Sequence, residues 1–425
     1  MTFSLKAVGC AVVAGLSLAA CSTSPDSGGS PGSTSTASGD IKGKLTVLYD
    51  KSFQSALDPV AKAFERKYPG TKVDVNYVSG DVSNLISNQI QAGTAADVFI
   101  TQPGSGGAMN VHTLAPQGSV RDLSDAPWVA DIPKLWRGDM AYKGKTYAYP
   151  GTIQGLGGIY NLTKMKELGL KVPTTWGQVL GLCKSAKEHH VYAYAQGFND
   201  PAGPQMVYLA LAGSLVYGPT PDFSTRVKEK KTSIPASPWK EVLTKYKQMN
   251  DAGCFGEGAM GRTRPQGGTE LAAGKALGMI EVGAGLAPVQ LQAPKSKFTV
   301  AALPATNNPA DNYFTALPGY TLSANAKAKN PGAAKAFLNL LAEPKNINRY
   351  AEGYASSPLI PNDDFKAPAT LGDFDKAVAD GKAAKLADWP NPKVNEVAQQ
   401  GVQAIFLGKD SVDGVLKKMQ NAYGD

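Results

Sequence analysis

The sequence predicts an α/β protein with two lobes, and three observations lead to that prediction. Strand patterns alternate with helix patterns after residue 43, which is typical of a parallel sheet covered by helices. Residues 41–425 are too many for one compact core. Charged residues make up 18% and apolar residues 43% of the chain, an ordinary composition for a folded soluble domain.

The first elements follow from hydrophobic periodicity. Alternating or continuous apolar residues predict strands at 44–49, 72–78 and 96–100. Apolar residues at helical spacing predict helices at 56–67 and 84–91. Ligands of such sheets bind at the carboxyl ends of the strands. Asp50 and Gln102 lie just past two of these ends.

Later segments continue the pattern. Residues 144–150 predict a strand that ends at the glycine-rich stretch 151–158. Thr175 is placed to cap the helix that carries Cys183. Residues 331–342 form a strongly apolar helix between Asn330 and Pro344.

The amino terminus predicts export. Lys6 precedes an uncharged, largely apolar run from 7 to 20, which is too short to span a bilayer and is typical of a secretory signal. Residues 18–21, Leu-Ala-Ala-Cys, resemble the bacterial lipobox. We therefore expect a lipoprotein signal peptide at 1–20 and lipid on Cys21, with an ordinary signal peptide that contains a cysteine as the alternative.

A flexible tether is expected at 21–42. Ser, Thr, Gly and Pro dominate residues 22–40, which cannot bury enough apolar surface to offset the entropy of ordering. A lipidated cysteine followed by a tether predicts a domain anchored by lipid to the outer, extracytoplasmic face of a bacterial membrane. No later apolar run approaches bilayer length.

The cysteines and charges narrow the chemistry. Cys10 leaves with the signal and Cys21 carries lipid, so Cys183 and Cys254 remain as a disulfide pair in an oxidising compartment, or as two separate buried thiols. The net charge is +8, but its densest run, 226–231, reads as a solvated loop, so we expect no nucleic-acid partner.

Enzyme and metal motifs are weak. The three histidines, His112, His189 and His190, show no metal spacing, and the glycine-rich stretches fail the nucleotide-binding patterns. We therefore predict no enzyme, no cofactor and no metal.

Several motifs carry a family resemblance. In order and spacing they are Phe64-Glu-Arg-Lys-Tyr-Pro-Gly70, Ala96-Asp-Val-Phe99, Gly144-Lys-Thr-Tyr-Ala-Tyr-Pro150, Tyr160-Asn161, Pro173-Thr-Thr-Trp176, Ala273-Gly-Lys-Ala-Leu-Gly-Met279 and Asn330-Pro-Gly-Ala-Ala-Lys-Ala-Phe-Leu338. Together they resemble the extracellular solute-binding lipoproteins of ABC importers, in the carbohydrate-uptake branch that includes maltose-binding protein.

The resemblance implies a two-lobed fold of the periplasmic-binding-protein type II class, with solute held in a cleft between the lobes. It places lobe 1 at 43–152 plus 306–350 and lobe 2 at 153–305 plus 351–425, with crossings near 152–155, 303–315 and 350–358. It implies a monomer that delivers a sugar to permease subunits driven by a separate ATPase. Gly155, Gly157 and Gly158 suit a hinge, or else close packing.

By their position relative to these motifs, eight residues are candidate ligand contacts: Asp50, Gln102, Gln154, Asn199, Asp200, Gln205, Glu281 and Tyr320. Carboxamides and carboxylates suit sugar hydroxyl groups, and a buried polar group left unpaired discriminates against the wrong solute.

One departure from the family pattern bears on the solute. The strand at 279–285 lacks the tryptophan that many members stack on sugar, which argues against a long glucan and favours a smaller or more polar solute, such as a mono- or short oligosaccharide. Trp128, Trp136 and Trp239 either compensate or pack in the core.

Four other functions stay open. Arg262 and Arg264 either lie on the surface or clamp a phosphate, which keeps a phosphorylated solute such as a glycerophosphodiester as an alternative. A surface-tethered glycosidase would need paired carboxylates in the cleft. An iron receptor would need clustered tyrosines, of which Tyr350 and Tyr354 are the late candidates but are expected to pack. A polyamine receptor would need an acidic cleft, which is not evident.

Overall fold

The computed structural model describes residues 41–79, 82–199, 202–354, 356–387, 389, 391 and 393–424. Cys21, the signal peptide and nearly all of the tether lie outside these residues, as does Asp200.

The described residues form thirteen strands, which are β1 Gly43–Asp50, β2 Thr71–Val78, β3 Val98–Thr101, β4 Ala141–Tyr142, β5 Lys145–Thr146, β6 Thr152–Asn161, β7 Tyr192–Tyr194, β8 Ala276–Val282, β9 Phe298–Ala301, β10 Phe314–Pro318, β11 Thr321–Ala324, β12 Ser357–Pro358 and β13 Ala383–Lys385.

The same residues form sixteen α-helices, which are α1 Gln54–Lys67, α2 Val82–Gln91, α3 Val111–Leu114, α4 Lys134–Arg137, α5 Leu162–Glu167, α6 Trp176–Glu188, α7 Ala202–Ala212, α8 Phe223–Lys228, α9 Trp239–Asp251, α10 Arg264–Ala272, α11 Leu286–Gln292, α12 Pro331–Ala342, α13 Pro344–Gly353, α14 Gly372–Ala379, α15 Lys393–Phe406 and α16 Val412–Tyr423.

The first lobe is built on a four-stranded sheet with the order β11-β3-β1-β2. β1 runs parallel to β2 and β3, and β11 is antiparallel to β3. α1 packs against β2 and α13 because its apolar residues, from Leu57 to Phe64, recur on one face and are buried. The predicted βαβ alternation is therefore present, with β3 beginning two residues later than expected.

The second lobe is built on a seven-stranded sheet whose main order is β13-β10-β6-β8-β7. β6 is its centre, because it pairs with β8, β9, β10 and β12, and all ten of its residues are buried. α7, α9, α15 and α16 pack together in the apolar cluster of this lobe.

The glycine-rich stretch, expected to follow a strand, is itself the strand β6. A Cβ atom added to Gly157 would lie 2.2 Å from the carbonyl oxygen of Ala301, so only glycine lets the neighbouring backbone approach. Gly155, Gly157 and Gly158 all lie inside this paired strand, a position that favours close packing over a hinge.

Three segments connect the lobes. The chain passes from Tyr149, which bridges to Leu322 in the first sheet, into β6; it returns between β10 and β11, and passes again between α13 and β12. The second passage differs from the expected one near 303–315. β10 pairs with β6, so residues 314–318, expected in lobe 1, belong to the second sheet.

The predicted disulfide between Cys183 and Cys254 is confirmed, and it joins α6 to the segment after α9. Both sulfurs lie in the buried cluster of the second lobe. Trp239 is also buried there. Trp128 makes a T-shaped contact with Tyr149, and its Nε1 donates to Asn339 Oδ1 at 3.0 Å. These two tryptophans therefore pack in the core.

Asp97 connects β1 to the segment that precedes α12 in the first lobe. Its carboxylate accepts hydrogen bonds from Thr46 N and Oγ1 at 2.9 and 2.7 Å, and from the backbone N–H groups of Lys329 and Asn330 at 2.6 and 3.1 Å. Burial by itself raises the pKa of Asp97, but these hydrogen bonds outweigh it and hold the pKa below the ordinary value.

We expect Asp97→Asn to lower the free energy of unfolding by about 2 kcal/mol at neutral pH, because an amide replaces one acceptor with a donor. The folded-state pKa is lowered, so the contribution of the carboxylate is complete above the unfolded pKa of about 3.9 and is lost as the pH falls through the folded pKa. Denaturant titrations at several pH values check this. Asp74→Asn, in the exposed Lys44 ion pair, should change stability little at any pH.

We expect the double variant Cys183→Ala/Cys254→Ala to lose about 4 kcal/mol of stability, because the disulfide closes a long loop in the unfolded chain. The cysteines are separated by 71 residues. Urea unfolding measures the loss, and reduced wild-type protein should match the variant. A variant as stable as the oxidised protein would contradict this account.

Candidate functional site

A cavity of about 670 Å³ lies between the two sheets and is lined from both lobes. The first lobe contributes residues that follow β1 and β3 and the turn that carries Asp139. The second lobe contributes residues of β6, β13, α7 and α15, and of the segment after β8. This volume lies within the range of small-molecule binding sites.

An aromatic wall forms one side of the cavity. The rings of Phe53 and Tyr354 are stacked, with centroids 3.7 Å apart and planes 7° apart, and Tyr320 approaches Phe53 edge-on at 5.9 Å. Burial raises the pKa of both tyrosines, and Asp50 raises the pKa of Tyr320 further. Both phenols are therefore neutral hydrogen-bond donors at physiological pH.

Asp50, a candidate contact, supports this wall rather than lining the cavity. Its Oδ1 accepts the N–H of Ser52 at 2.8 Å and so caps the short 3₁₀ turn Lys51–Phe53 that presents the Phe53 ring. The carboxylate thus acts on the site through the backbone of this turn and through its charge, which raises the pKa of Tyr320.

Carboxamides from both lobes line the cavity. Gln102 follows β3 and is exposed, whereas Gln154 lies in β6 and accepts the N–H of Ala284 at 3.3 Å. Gln205 at the start of α7 accepts from Gln399 Nε2 of α15 at 2.6 Å. Together with Tyr320, these are four of the eight candidate residues that the structure brings to one cavity.

An ion pair joins the two lobes at the wall of the cavity. Lys385 Nζ on β13 lies 2.5 Å from Asp139 Oδ1, which is in the turn Gly138–Met140 of the first lobe. Both residues line the cavity, and Asp139 is 5% exposed.

The structure also adds lining residues that sequence reasoning did not select. These are Phe53, Asp139, Tyr354, Lys385, Trp389, Asn395, Glu396 and Gln399. Phe53 could have been predicted as a lining residue, since it closely follows the end of β1. Asp139 and Lys385 are 246 positions apart, and no sequence pattern indicated that they would meet. Trp136, for which the sequence left open either a compensating aromatic contact or core packing, lines the cavity as well as being buried, and so does Tyr354, which was expected to pack.

Glu281 and Asn199 do not line the cavity. Asn199 is exposed and its backbone N–H donates to Arg262 O at 3.1 Å. Glu281 is buried, and its Oε2 accepts from Arg264 Nε and Nη2 at 2.7 and 2.5 Å while its Oε1 accepts the N–H of Val282 at 2.9 Å. Val282 lines the cavity, so Glu281 positions the lining segment.

Arg262 is a structural residue. Its guanidinium donates to the carbonyl oxygens of Gln196, Phe255 and Glu257 at 2.9–3.0 Å, and its Nε lies 2.8 Å from Glu270. Because Arg262 does not line the cavity and Arg264 is held by Glu281, neither forms the phosphate clamp that we considered.

Within the described ranges, no cluster of His, Cys, Asp and Glu could hold a metal ion. In that part of the chain, no helix is both long and apolar enough to cross a membrane.

A family model for the bacterial extracellular solute-binding protein matches residues 50–347. The chain therefore belongs to the family of bacterial extracellular solute-binding proteins. The multiple sugar-binding protein of Streptococcus mutans serotype c is 27% identical over 187 residues, which are 42% of this chain and 44% of that protein. The maltooligosaccharide ABC transporter solute-binding lipoprotein of Streptococcus pneumoniae serotype 4 is 30% identical over 198 residues, 45% of this chain and 41% of that one. These alignments span less than half of each relative.

Solved structures agree over more of the chain. RafE from Streptococcus pneumoniae, in complex with raffinose, superposes with a TM-score of 0.74 at 18% identity and covers 89% of this chain and 98% of its own. At this identity the likeness shows the fold, and the predicted two-lobed α/β class is confirmed.

We expect Glu281→Gln and Arg264→Gln each to lower the free energy of unfolding by about 1–2 kcal/mol, since one partner is buried and the other partly exposed. The double variant should lose less than the sum of the two. Chemical denaturation of wild type, the two single variants and the double variant completes this double-mutant cycle. Strictly additive losses would mean that the pair is not coupled.

Proposed function

We propose that this protein is the receptor of an ABC importer for a sugar, a mono- or short oligosaccharide, which it binds between its lobes. The observation that carries the proposal is the cavity in which a stacked aromatic wall faces carboxamides from both lobes. Aromatic rings cover the C–H face of a sugar, and amides bind its hydroxyl groups. The names of the streptococcal relatives support the same solute class.

The proposed mechanism is binding without covalent chemistry. A solute that contacts both lobes stabilises the closed arrangement more than the open one, so it shifts the population toward closure. The closed protein then presents both lobes to permease subunits, and a separate ATPase supplies the energy of transport. We propose that the receptor acts as a monomer.

The proposed contacts are Gln102, Gln154, Gln205 and Tyr320, joined by Phe53 and Tyr354. Asp200 remains a prediction, since it lies outside the described residues. Asp50 and Glu281 are better explained as supporting residues, because they cap a turn and hold the segment after β8. The aromatic wall also supplies ring surface in place of the tryptophan missing at 279–285, so the proposed size of the solute rests on the cavity volume of about 670 Å³ rather than on that absence.

The alternatives lose their particular support. A phosphorylated solute depended on Arg262 and Arg264, which are engaged by carbonyl groups and by Glu270 and Glu281. A glycosidase would need two facing carboxylates in the cavity. Asp50 and Glu281 do not line it, and of the described carboxylates that do, Asp139 is paired with Lys385 and Glu396 is exposed.

We further propose that the protein is attached by lipid on Cys21 to the outer face of the membrane, with 1–20 removed and 21–42 as the tether. The family is extracellular, and one relative is named a lipoprotein. Incorporation of labelled fatty acid into wild type and into Cys21→Ala tests the anchor.

Thermal unfolding of residues 43–425 with neutral sugars tests the receptor function. A sugar at about a thousand times its dissociation constant adds roughly 4 kcal/mol and should raise the midpoint by several degrees. Raffinose, maltotriose, glucose and galactose form the first panel, with glycerophosphocholine for comparison.

Phe53→Ala should lower the affinity for the sugar found by at least about tenfold, because it removes one ring of the wall. Tyr142→Ala, on the β4–β5 ribbon, does not line the cavity; it is the matched control and should bind as wild type does. A response to glycerophosphocholine alone, or equal effects of both substitutions, would contradict the proposal.

A further inference from the structure

The charges that line the cavity are few. Among the described lining residues, Lys385 is the only lysine or arginine, and its ammonium is paired with Asp139 at 2.5 Å. Glu396 is the other lining carboxylate and is exposed. In the described part of the chain, the Asp139–Lys385 ion pair is the only one that joins the two lobes.

Both partners are carried by backbone that is fixed by hydrogen bonds. Lys385 lies opposite Ala316 in the pairing of β13 with β10, and the next N–H, of Leu386, donates to Ala316 O at 3.0 Å. The carbonyl oxygen of Asp139 accepts the N–H of Gly104, a lining residue of the first lobe, at 2.9 Å. The two charges therefore meet at a defined point of the cavity wall.

The pair is largely shielded from water, with side-chain exposures of 7% for Asp139 and 25% for Lys385. When one member of such a pair is removed, the remaining charge is left without compensation, which is costly. An uncharged solute leaves the pair intact. A charged solute gains a partner only by separating the two.

We propose that the Asp139–Lys385 pair sets the charge selectivity of the cleft, which takes uncharged solutes and rejects anions because Asp139 already neutralises the one ammonium that an anion would bind. This inference rests on the proposed receptor function and adds two specificity-determining residues to it. Neither residue is assigned a bond to the sugar itself.

Asp139→Asn tests the inference, because it keeps the shape of the side chain and releases Lys385. The probe is inorganic phosphate, titrated by calorimetry against wild type and variant at constant ionic strength. We expect the variant to bind phosphate at least about tenfold more tightly than wild type, since a charge-assisted hydrogen bond becomes available. The double variant Asp139→Asn/Lys385→Met is the matched control and should return to the wild-type response.

Lys385→Met supplies the reciprocal test and remains decisive if Asp139→Asn does not fold. It leaves the Asp139 carboxylate without its ammonium, so ethylammonium should bind this variant at least about tenfold more tightly than wild type. Phosphate should not bind it.

The inference is overturned if Asp139→Asn binds phosphate no better than wild type, or if the double variant binds it as tightly as Asp139→Asn. The response of wild type to neutral sugars is measured separately. Its loss would overturn the receptor function, whereas a normal sugar response with unchanged charge selectivity would overturn only this inference.

Discussion

The structure depends on the close approach of backbone segments along one buried strand. β6 pairs with four other strands, and the position of Ala301 O leaves no room for a side chain at Gly157. Its first residues adjoin the segments that connect the lobes, and Gln154 in the same strand lines the cavity. A single strand thus orders the second sheet, sets where the chain passes between the lobes and places one side chain in the lining of the cavity. Any bulk added at Gly157 would disturb all three together.

Much of the fold could be predicted from the sequence because local patterns and tertiary packing agree in the first lobe. The alternation of β1, α1, β2, α2 and β3 was visible in the apolar spacing. β6 was not, because glycines are weak strand formers and here occur for close packing rather than for their own preference. The passage between β10 and β11 was misplaced for a related reason, since strand pairing with β6 is a long-range property that local periodicity does not contain.

The residues of the candidate site likewise divide into those that could be predicted from the sequence and those that could not. Gln102 and Gln154 could be predicted because they lie at strand ends or crossings, where α/β folds bind ligands. Glu281 shares that kind of position, yet its carboxylate is held by Arg264, and nothing in the sequence distinguishes a supporting carboxylate from a binding one. The aromatic wall combines Phe53, Tyr320 and Tyr354, which lie far apart in the chain and come together only through the crossings.

The three connecting segments are themselves held side by side. Gly319 N donates to Thr152 O at 2.8 Å, Leu359 N donates to Gly151 O at 3.0 Å, and Pro358 lies opposite Thr152. Connections that lie side by side and are hydrogen-bonded to one another oppose both twisting and sliding, so we expect the lobes to move relative to one another mainly by one rotation. The opening and closing of the lobes would then be described by a single angle. One pair of probes, one on each lobe, is enough to read it, which makes this scaffold suited to conversion into an optical sensor for whatever its cleft retains.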